Sequence, residues 1–300
     1  MRRPLDARAS LLVLALCVVW GSQQVILKSV STDIAPVMQL ALRFGCASIF
    51  FGIWVLASEG RSAFSDGTLK SGLILGVLFS LEFILMGAAL NHTTAAHSVV
   101  FLYTAPIFTA LGLQYLPEER LSTSQWVGIA VAFSGIVVAF LSASGRSLQE
   151  ILAGDLAALC SGICWGLSNV ALRRGRVNKA GTAKIILYQV GTATILLSIY
   201  ATLTHQTHLI FSATAIGSLA FQTLVIAIAS YILWFRLLQR YLTSRLMLLS
   251  LLTPIFGVLM GVGLLGDPMT FRFMTGALLV FSGVLMVNLK QIVDGLRNTP

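Results

Sequence analysis

Long apolar stretches alternate with short polar connectors along the whole chain, and this alternation predicts membrane-spanning helices. Each stretch reaches the roughly 20 residues that an α-helix needs to cross a bilayer. The connectors are too short to hold a soluble domain. The sequence therefore predicts an all-α membrane protein with ten transmembrane helices, at residues 9–28, 34–57, 69–90, 96–116, 122–142, 153–172, 182–203, 212–235, 244–265 and 271–289.

Composition and charge placement agree with this interpretation. The chain is 57% hydrophobic and 10% charged, whereas soluble domains carry about 25% charged residues. With the N-terminus in the cytoplasm, 16 of the 20 Lys and Arg residues lie in cytoplasmic segments. This bias predicts a multi-pass protein of a cell membrane of the bacterial inner-membrane type, with both termini cytoplasmic. The expected partner of the basic loops is the lipid bilayer, and no nucleic acid.

Three short motifs occur twice, and they divide the chain into two similar halves. The predicted halves are residues 1–145 and 150–290, with five spans each, followed by a short cytoplasmic tail at 291–300. Because five is odd, the second half is expected to be inverted, so that matching residues meet near the middle of the membrane. The repeated motifs are Trp20-Gly21 with Trp165-Gly166, Pro106-Ile107-Phe108 with Pro254-Ile255-Phe256, and Phe133-Ser134-Gly135 with Phe281-Ser282-Gly283.

These motifs, in this order, resemble the EamA-type family of the drug/metabolite transporter superfamily over the whole chain. Leu42-Arg43-Phe44 in span 2 and Glu119-Arg120-Leu121 after span 4 add to the resemblance. The second half departs from it with Asp267-Pro268-Met269, where the family usually shows Glu-Arg-Leu. The resemblance implies a transporter, with export of amino-acid-like metabolites as the favoured direction, and it does not choose the substrate.

Two charged side chains are predicted inside the membrane. Glu82 is the acidic residue in the middle of a span, and Arg43 is the basic residue clearly within one. A charge at this depth costs at least about 2.5–3.5 kcal/mol. In one interpretation Glu82 couples transport to protons and Arg43 anchors a substrate carboxylate. In the other, the two form a buried structural ion pair, or Glu82 stays protonated.

A set of polar and aromatic residues at mid-depth predicts a substrate site between the halves. Trp20, Gln23 and Gln24 share one face of span 1, and the repeat places Trp165, Ser168 and Asn169 at matching positions of span 6. Amides beside an indole suit a zwitterionic or amide-bearing solute. Alternatively, these groups satisfy one another across helix contacts. The further candidates for substrate contact are Gln39, Phe79, Phe83, Tyr103, Tyr188 and Gln189.

Other residues have expected structural roles. Pro106 and Pro254 remove a backbone hydrogen bond and are predicted hinges for alternating access, or static kinks. Trp126 and Trp234 are assigned to the membrane interface, and His92 and His97 to the outer end of the hairpin between spans 3 and 4. Small-residue faces in spans 5 and 10 predict close helix packing within a monomer or in a homodimer, at Gly128, Gly135, Gly276 and Gly283.

The predicted function is secondary active transport of small polar or amphipathic metabolites by alternating access. A nucleotide-binding P-loop motif is missing from the sequence, so the energy is expected from a proton gradient or from the solute's own gradient. Neither a zinc-protease nor a serine-hydrolase motif occurs, so no enzyme, metal or cofactor is predicted. The alternatives are an intramembrane enzyme, a lipid scramblase and a structural multi-span protein.

Overall fold

The computed structural model describes residues 7–114, 122–140, 148–241, 250 and 252–297. In these residues the regular structure is helical, apart from an isolated bridge between Ile34 and Leu209. In lipid the backbone must satisfy its own hydrogen bonds, which a helix does within one segment. The α-helices are α1 (Ala7–Ser29), α2 (Pro36–Glu59), α3 (Leu69–His92), α4 (Ala95–Leu102), α5 (Ala105–Leu113), α6 (Thr123–Phe140), α7 (Leu148–Arg174), α8 (Thr182–Leu203), α9 (Ala213–Phe221), α10 (Ser230–Arg240), α11 (Thr253–Leu265) and α12 (Phe271–Arg297).

In the described part of the chain, six helical segments are long and apolar enough to cross a membrane. They are Ala7–Ser29, Pro36–Glu59, Leu69–His92, Leu152–Arg174, Thr182–Leu203 and Ala213–Trp234. Shorter apolar helices cover Ala95–Thr109, Thr123–Ala139, Thr253–Leu265 and Phe271–Met286. These segments make the chain a multi-pass membrane protein. Part of predicted span 9 (244–249 and 251) and the Glu119-Arg120-Leu121 motif lie outside the described residues.

The helix ends follow local sequence signals. Pro36 occupies the first turn of α2, where its missing N–H costs nothing, and α2 ends at Gly60 with a φ of +66°. The hydroxyl of Thr94 accepts from the backbone N–H of His97 at the start of α4. The hydroxyl of Ser212 does the same for Ala215 at the start of α9. These caps satisfy donors that a helix leaves unpaired.

Two predicted spans are interrupted. The stretch predicted as one helix at 96–116 consists of α4 and α5, separated at Tyr103 and Thr104. The break fits Pro106 in the first turn of α5, because a proline inside a helix clashes with the carbonyl four residues earlier. Between α9 and α10 the backbone is π-helical at Gln222–Ala229, a wider turn that is common near functional sites. The last helix continues to Arg297, into the segment predicted as a tail.

The long helices pack in pairs that join the two predicted halves. α1 packs on α11, α2 on α8, α3 on α7 and α8, and α5 on α7. α6 and α12 form the most extensive pair, with the four predicted glycines between them. A Cβ added at Gly135 would lie 2.6 Å from the backbone nitrogen of Val280. The small-residue faces are therefore used within the chain, as close backbone approach requires.

A buried lysine connects the start of α8 to the loop after α2. Lys184 is 1% exposed, and its ammonium group donates to the carboxylate of Asp66 at 2.6 Å and to the carbonyl of Ala63. The carboxylate of Glu59 lies 3.4 Å away. Hydrogen bonds from Lys184 and Thr68 lower the pKa of Asp66 to about 2. The ammonium group thus holds three chain positions together.

Replacing Lys184 with methionine is expected to lower the free energy of unfolding by about 1.5–3 kcal/mol, because hydrogen bonds to charged groups contribute about that much. Thermal unfolding in detergent measures the loss, and Lys179→Met, at an exposed lysine, should show none. Because the pKa of Asp66 is lower in the folded state, its contribution is present above about pH 4 and disappears as the pH falls towards 2. Equal stability of the two variants would contradict this role.

Candidate functional site

A cavity of about 280 Å³ lies between the helices of the two predicted halves. This volume is close to the lower limit of about 300 Å³ for typical ligand pockets. Polar side chains, aromatic rings and one carboxyl group line it together. Of the predicted substrate-contact residues, the structure brings ten to this cavity: Trp20, Gln23, Gln24, Phe79, Phe83, Tyr103, Trp165, Ser168, Asn169 and Gln189.

On the α1 side, one helical face supplies an indole and two amides. Trp20 donates from its indole nitrogen to the hydroxyl of Ser230 at 2.8 Å. Its ring meets that of Trp234 edge to face, with centroids 5.2 Å apart. Gln23 and Gln24 follow on the same face, and the side-chain oxygen of Gln24 is buried without a hydrogen-bond partner among the described residues.

On the α7 side, the matching residues complete the lining. The ring of Trp165 meets that of Tyr103 edge to face, with centroids 5.3 Å apart. The amide nitrogen of Asn169 donates to the hydroxyl of Thr109 at 3.2 Å. The hydroxyl of Ser168 is buried and has no partner within the described part of the chain. Each predicted half thus contributes a tryptophan and polar groups to one cavity.

The glycine after each tryptophan lies against a helix of the other half. A Cβ on Gly21 would meet the nitrogen of Gly257, the Cβ of Phe256 and the carbonyl oxygen of Thr253 at 2.9–3.0 Å. A Cβ on Gly166 would meet the nitrogen of Thr109, the Cβ of Phe108 and the carbonyl oxygen of Ala105 at 2.7–3.1 Å. Each of these residues lies 148 positions before its counterpart near Gly21. In both cases the contact is with the helix that begins at the Pro-Ile-Phe motif. Trp20 and Trp165, which both line the cavity, thus each lie next to such a close crossing.

Glu82 is the charged residue on the cavity lining. It is 7% exposed and lies on α3 near Phe79 and Phe83. One of its carboxyl oxygens has no hydrogen-bond partner in the described residues. The hydroxyl of Ser161 binds its backbone carbonyl at 2.7 Å and leaves the carboxyl group available. A carboxyl group in this position can exchange protons with water in the cavity and can attract a cation.

Arg43 is placed differently from the prediction. Its guanidinium group is fully buried and lies over the rings of Phe44 and Phe83, at 4.4 and 5.2 Å from their centroids. None of its three nitrogens has a hydrogen-bond partner among the described residues, and no ion pair to Glu82 forms there. Arg43 is not among the described residues that line the cavity, although its charge is close enough to interact with that of Glu82. The expected carboxylate anchor therefore does not reach the cavity in this structure.

Gln39 and Tyr188 also lie away from the cavity, which corrects their sequence-based grouping with it. The amide nitrogen of Gln39 donates to the carbonyls of Leu27 and Ile34, at 2.9 and 2.8 Å. The hydroxyl groups of Tyr188 and Thr68 share a hydrogen bond of 3.1 Å. Both side chains have partners that hold neighbouring segments together, and neither is among the residues that line the cavity.

The two prolines lie at helix starts. Pro106 is in the first turn of α5 and Pro254 in the first turn of α11. In that turn a proline removes no helical hydrogen bond. The sequence predicted that Pro106 removes a backbone hydrogen bond in the middle of a helix. This is wrong, because the helix is already interrupted between α4 and α5. The role of both prolines as hinges stays a prediction.

Six lining residues were not among the sequence-based candidates. Leucine and isoleucine carry no signal that separates a cavity wall from a lipid-facing surface. Trp234 was assigned to the membrane interface, but it lines the cavity beside Trp20. A helical spacing of three residues links Tyr231 to Trp234, and this spacing could have indicated a shared face. The six are Leu75, Leu102, Leu172, Ile185, Tyr231 and Trp234.

A buried polar cluster lies at the end of the bundle near Lys28. The ammonium group of Lys28 donates to the backbone carbonyl of Thr93. The carboxylate of Asp155 accepts from the hydroxyl of Thr93 and lies 2.9 Å from Nδ1 of His97. Asp267 accepts from the backbone N–H of Ala96 at 2.9 Å. His97, expected at the interface, is instead buried, and its ring stacks on that of Phe273 in α12 with centroids 4.1 Å apart.

Comparisons with known proteins agree with a transporter. Probable amino-acid metabolite efflux pumps of Salmonella typhimurium strain LT2 and Escherichia coli strain K12 are 28% and 27% identical to this chain. The matches cover 91% and 98% of this chain and 92% and 97% of those proteins. An uncharacterized transporter of Bacillus subtilis strain 168 is 20% identical over 91% of this chain and 94% of its own length.

The fold also has a solved counterpart. A crystal structure at 19% sequence identity superposes with a TM-score of 0.66 and covers 95% of this chain and 97% of that chain. The EamA-like transporter family matches residues 7–141 and again residues 152–289. The two matches together cover most of the 300 residues. The chain therefore belongs to the EamA-like transporter family.

Proposed function

We propose that this protein is a secondary active transporter that exports small amino-acid-like solutes by alternating access. The observation that carries the proposal is the central cavity, which the Trp20 and Trp165 helices line from both halves of the chain. Amides, a hydroxyl group and indole rings can bind a solute that has both polar and apolar parts. The two enterobacterial relatives are named probable amino-acid metabolite efflux pumps, which supports an amino-acid metabolite as cargo.

The proposed architecture is ten transmembrane helices in two inverted repeats, residues 1–145 and 150–290. The equivalent crossings at Gly21 and Gly166 support it, because symmetry-related halves make equivalent contacts. The α6–α12 pair supports it in the same way, because Gly135 approaches the backbone of Gly276 and Val280 and Gly283 approaches that of Gly128 and Ala132. The family match to two consecutive segments of similar length is consistent with a duplication.

The proposed location is a cell membrane of the bacterial inner-membrane type, with both termini cytoplasmic. The distribution of Lys and Arg supports this orientation. It assigns the polar cluster of Lys28, Thr93, His97 and Asp155 to the outer side. Opening the cavity outwards would require breaking these contacts, while the cavity lining extends towards Leu172 and Ile185 near the predicted cytoplasmic ends. Release of solute outside thus depends on separating α4 from α7.

Counterflow in proteoliposomes tests transport directly. Vesicles loaded with an unlabelled amino acid are expected to accumulate the labelled one, because a carrier exchanges solute across the membrane. A scramblase would instead move fluorescent lipid without solute exchange, and an enzyme would change the solute chemically. Thermal-shift screening against amino acids, nucleosides and vitamins chooses the solute first, since a ligand that binds the folded state stabilises it. Absence of exchange for every stabilising solute would refute the proposal.

Glu82 is proposed as the proton-coupling group. It is the carboxyl group on the lining, and one of its oxygens lacks a partner in the described residues. The other ionisable groups near it are Arg43, Tyr103, Cys164 and Tyr231. Arg43 and Cys164 are not among the described lining residues, and a carboxyl group ionises more readily than the phenols of Tyr103 and Tyr231.

Glu82→Gln is therefore expected to abolish the pH dependence of transport while the protein stays folded and inserted. The carboxamide has nearly the same shape but cannot release a proton. The measurement is solute flux in proteoliposomes across a range of pH, with and without an imposed proton gradient. Glu59→Gln, at the end of α2 away from the cavity, serves as the control. An unchanged pH profile in Glu82→Gln would exclude coupling through this residue.

A further inference from the structure

The unpaired polar atoms of the cavity favour a hydrogen-bond donor as ligand. Gln24, Glu82 and Ser168 are 2%, 7% and 3% exposed, and each has a buried oxygen with no partner in the described residues. The oxygens of Gln24 and Glu82 are acceptors, and a hydroxyl oxygen can also accept. A buried acceptor without a donor costs free energy. Of the three side chains, that of Glu82 can carry a negative charge, and a cationic donor stabilises such a group most strongly.

The charge of the lining favours the same kind of ligand. Among the described residues that line it, Glu82 is the charged one, and there is neither lysine nor arginine. The guanidinium group of Arg43 lies over two aromatic rings and is not among these residues. The amide donors that they offer an anion are uncharged, and one of them, that of Asn169, already donates to Thr109. A carboxylate entering this cavity would therefore lose its hydration without gaining a cationic partner.

The aromatic rings supply a further attraction for a cation. Trp20, Trp165 and Tyr103 line the cavity together with Phe79 and Phe83. A cation within about 6 Å of such a ring is attracted by its face, most strongly by that of tryptophan. An ammonium group would thus meet ring faces, acceptor oxygens and a carboxyl group in one place. The rings also accept an apolar or aromatic body next to it.

We propose that the cavity recognises the free ammonium group of an amphipathic amine and does not require a carboxylate on the solute. This inference rests on the proposed transport function and narrows its substrate class. Among amino-acid-like solutes it favours those whose carboxylate is amidated, esterified or removed.

A matched series of four compounds with the same phenyl group tests the proposal. It consists of phenethylamine, phenylalaninamide, phenylalanine and 3-phenylpropionate. Competition with the transported solute, measured by counterflow and by thermal shift, ranks their affinities. Phenethylamine and phenylalaninamide are expected to bind about tenfold more tightly than phenylalanine, and 3-phenylpropionate is expected not to compete. Equal or tighter binding of either carboxylate than of the amines would overturn the proposal.

Two pairs of variants test whether residues of the cavity bind the amine. Glu82→Gln is expected to reduce the affinity for phenethylamine about tenfold, and Glu59→Gln, outside the cavity, is expected to leave it unchanged. If Glu82→Gln does not fold, Trp165→Leu provides the second test, with the exposed Trp126 replaced by leucine as its control. Wild-type affinity for the amine in both cavity variants would refute recognition at this site.

Amine binding and solute counterflow, measured on the same protein, test the substrate class and the transport function separately. Binding of the amines without counterflow would support the substrate class and refute transport. Counterflow of another solute with no binding of the amines would refute the substrate class and support transport. Neither binding nor counterflow of any solute would refute both.

Discussion

Replacing Gly283 with leucine is expected to eliminate recoverable folded protein. A Cβ at this position would lie against the carbonyl oxygen of Gly128 and 2.5 Å from the backbone nitrogen of Ala132. These neighbours are backbone atoms of α6 and cannot rotate away, so the two helices must separate. Even Gly283→Ala is expected to cost about 1–3 kcal/mol, the usual range for overpacking. Size-exclusion chromatography and thermal unfolding in detergent measure both effects.

Gly217 provides the matched control. It also lies within an apolar helix, but a Cβ added there would meet no atom within 4 Å. Gly217→Leu is therefore expected to fold normally, and Gly217→Ala is expected to gain up to about 1 kcal/mol from helix propensity. If Gly283→Leu and Gly217→Leu are recovered equally well, the α6–α12 contact is not as close as described.

Replacing Arg43 with methionine is expected to raise the free energy of unfolding by about 2 kcal/mol. The guanidinium group is buried without a hydrogen-bond partner in the described residues, and a charge at mid-membrane costs about 2.5–3.5 kcal/mol. Contacts with the rings of Phe44 and Phe83 offset only part of this cost. Methionine is apolar and flexible enough to fill the same space. Thermal unfolding of the purified variant measures the gain.

Arg272→Met, at an exposed arginine, is the control and is expected to change stability little. A loss of stability in Arg43→Met would contradict the view that this charge is uncompensated. Flux measured on the same variant then separates the two interpretations of Arg43. Unchanged flux in a more stable protein would indicate a residue that solute does not need, whereas lost flux would indicate a role in another conformation.

Much of the candidate site could be predicted because the sequence repeats itself. The repeat relates Trp20 to Trp165 and Gln24 to Asn169, and a helical period places neighbouring residues on one face. Those rules depend only on spacing along a helix, so they identified ten residues that line one cavity. Glu82 could be singled out for a different reason, since an acidic residue is costly at that depth.

The wrong predictions about where side chains lie have one physical cause. Depth in the membrane can be read from the sequence, but the direction in which a side chain points between helices cannot. Gln39 and Arg43 are as deep as the cavity residues, yet they face Leu27 and Phe44. Trp234 was assigned to the interface by its depth, although α10 turns its ring towards Trp20. Only helix packing decides which side of a helix faces the cavity.

The sequence alone determined the membrane environment, the helical class and the repeated motifs, because these depend on composition and on spacing along the chain. The tertiary structure decided which polar groups share one cavity, that α4 and α5 are separate helices, and that Arg43 packs over Phe44 and Phe83. It also brought His97 together with Asp155, which are 58 residues apart in the chain. The reason is that such contacts arise from the crossing of helices distant in sequence, which no local pattern encodes.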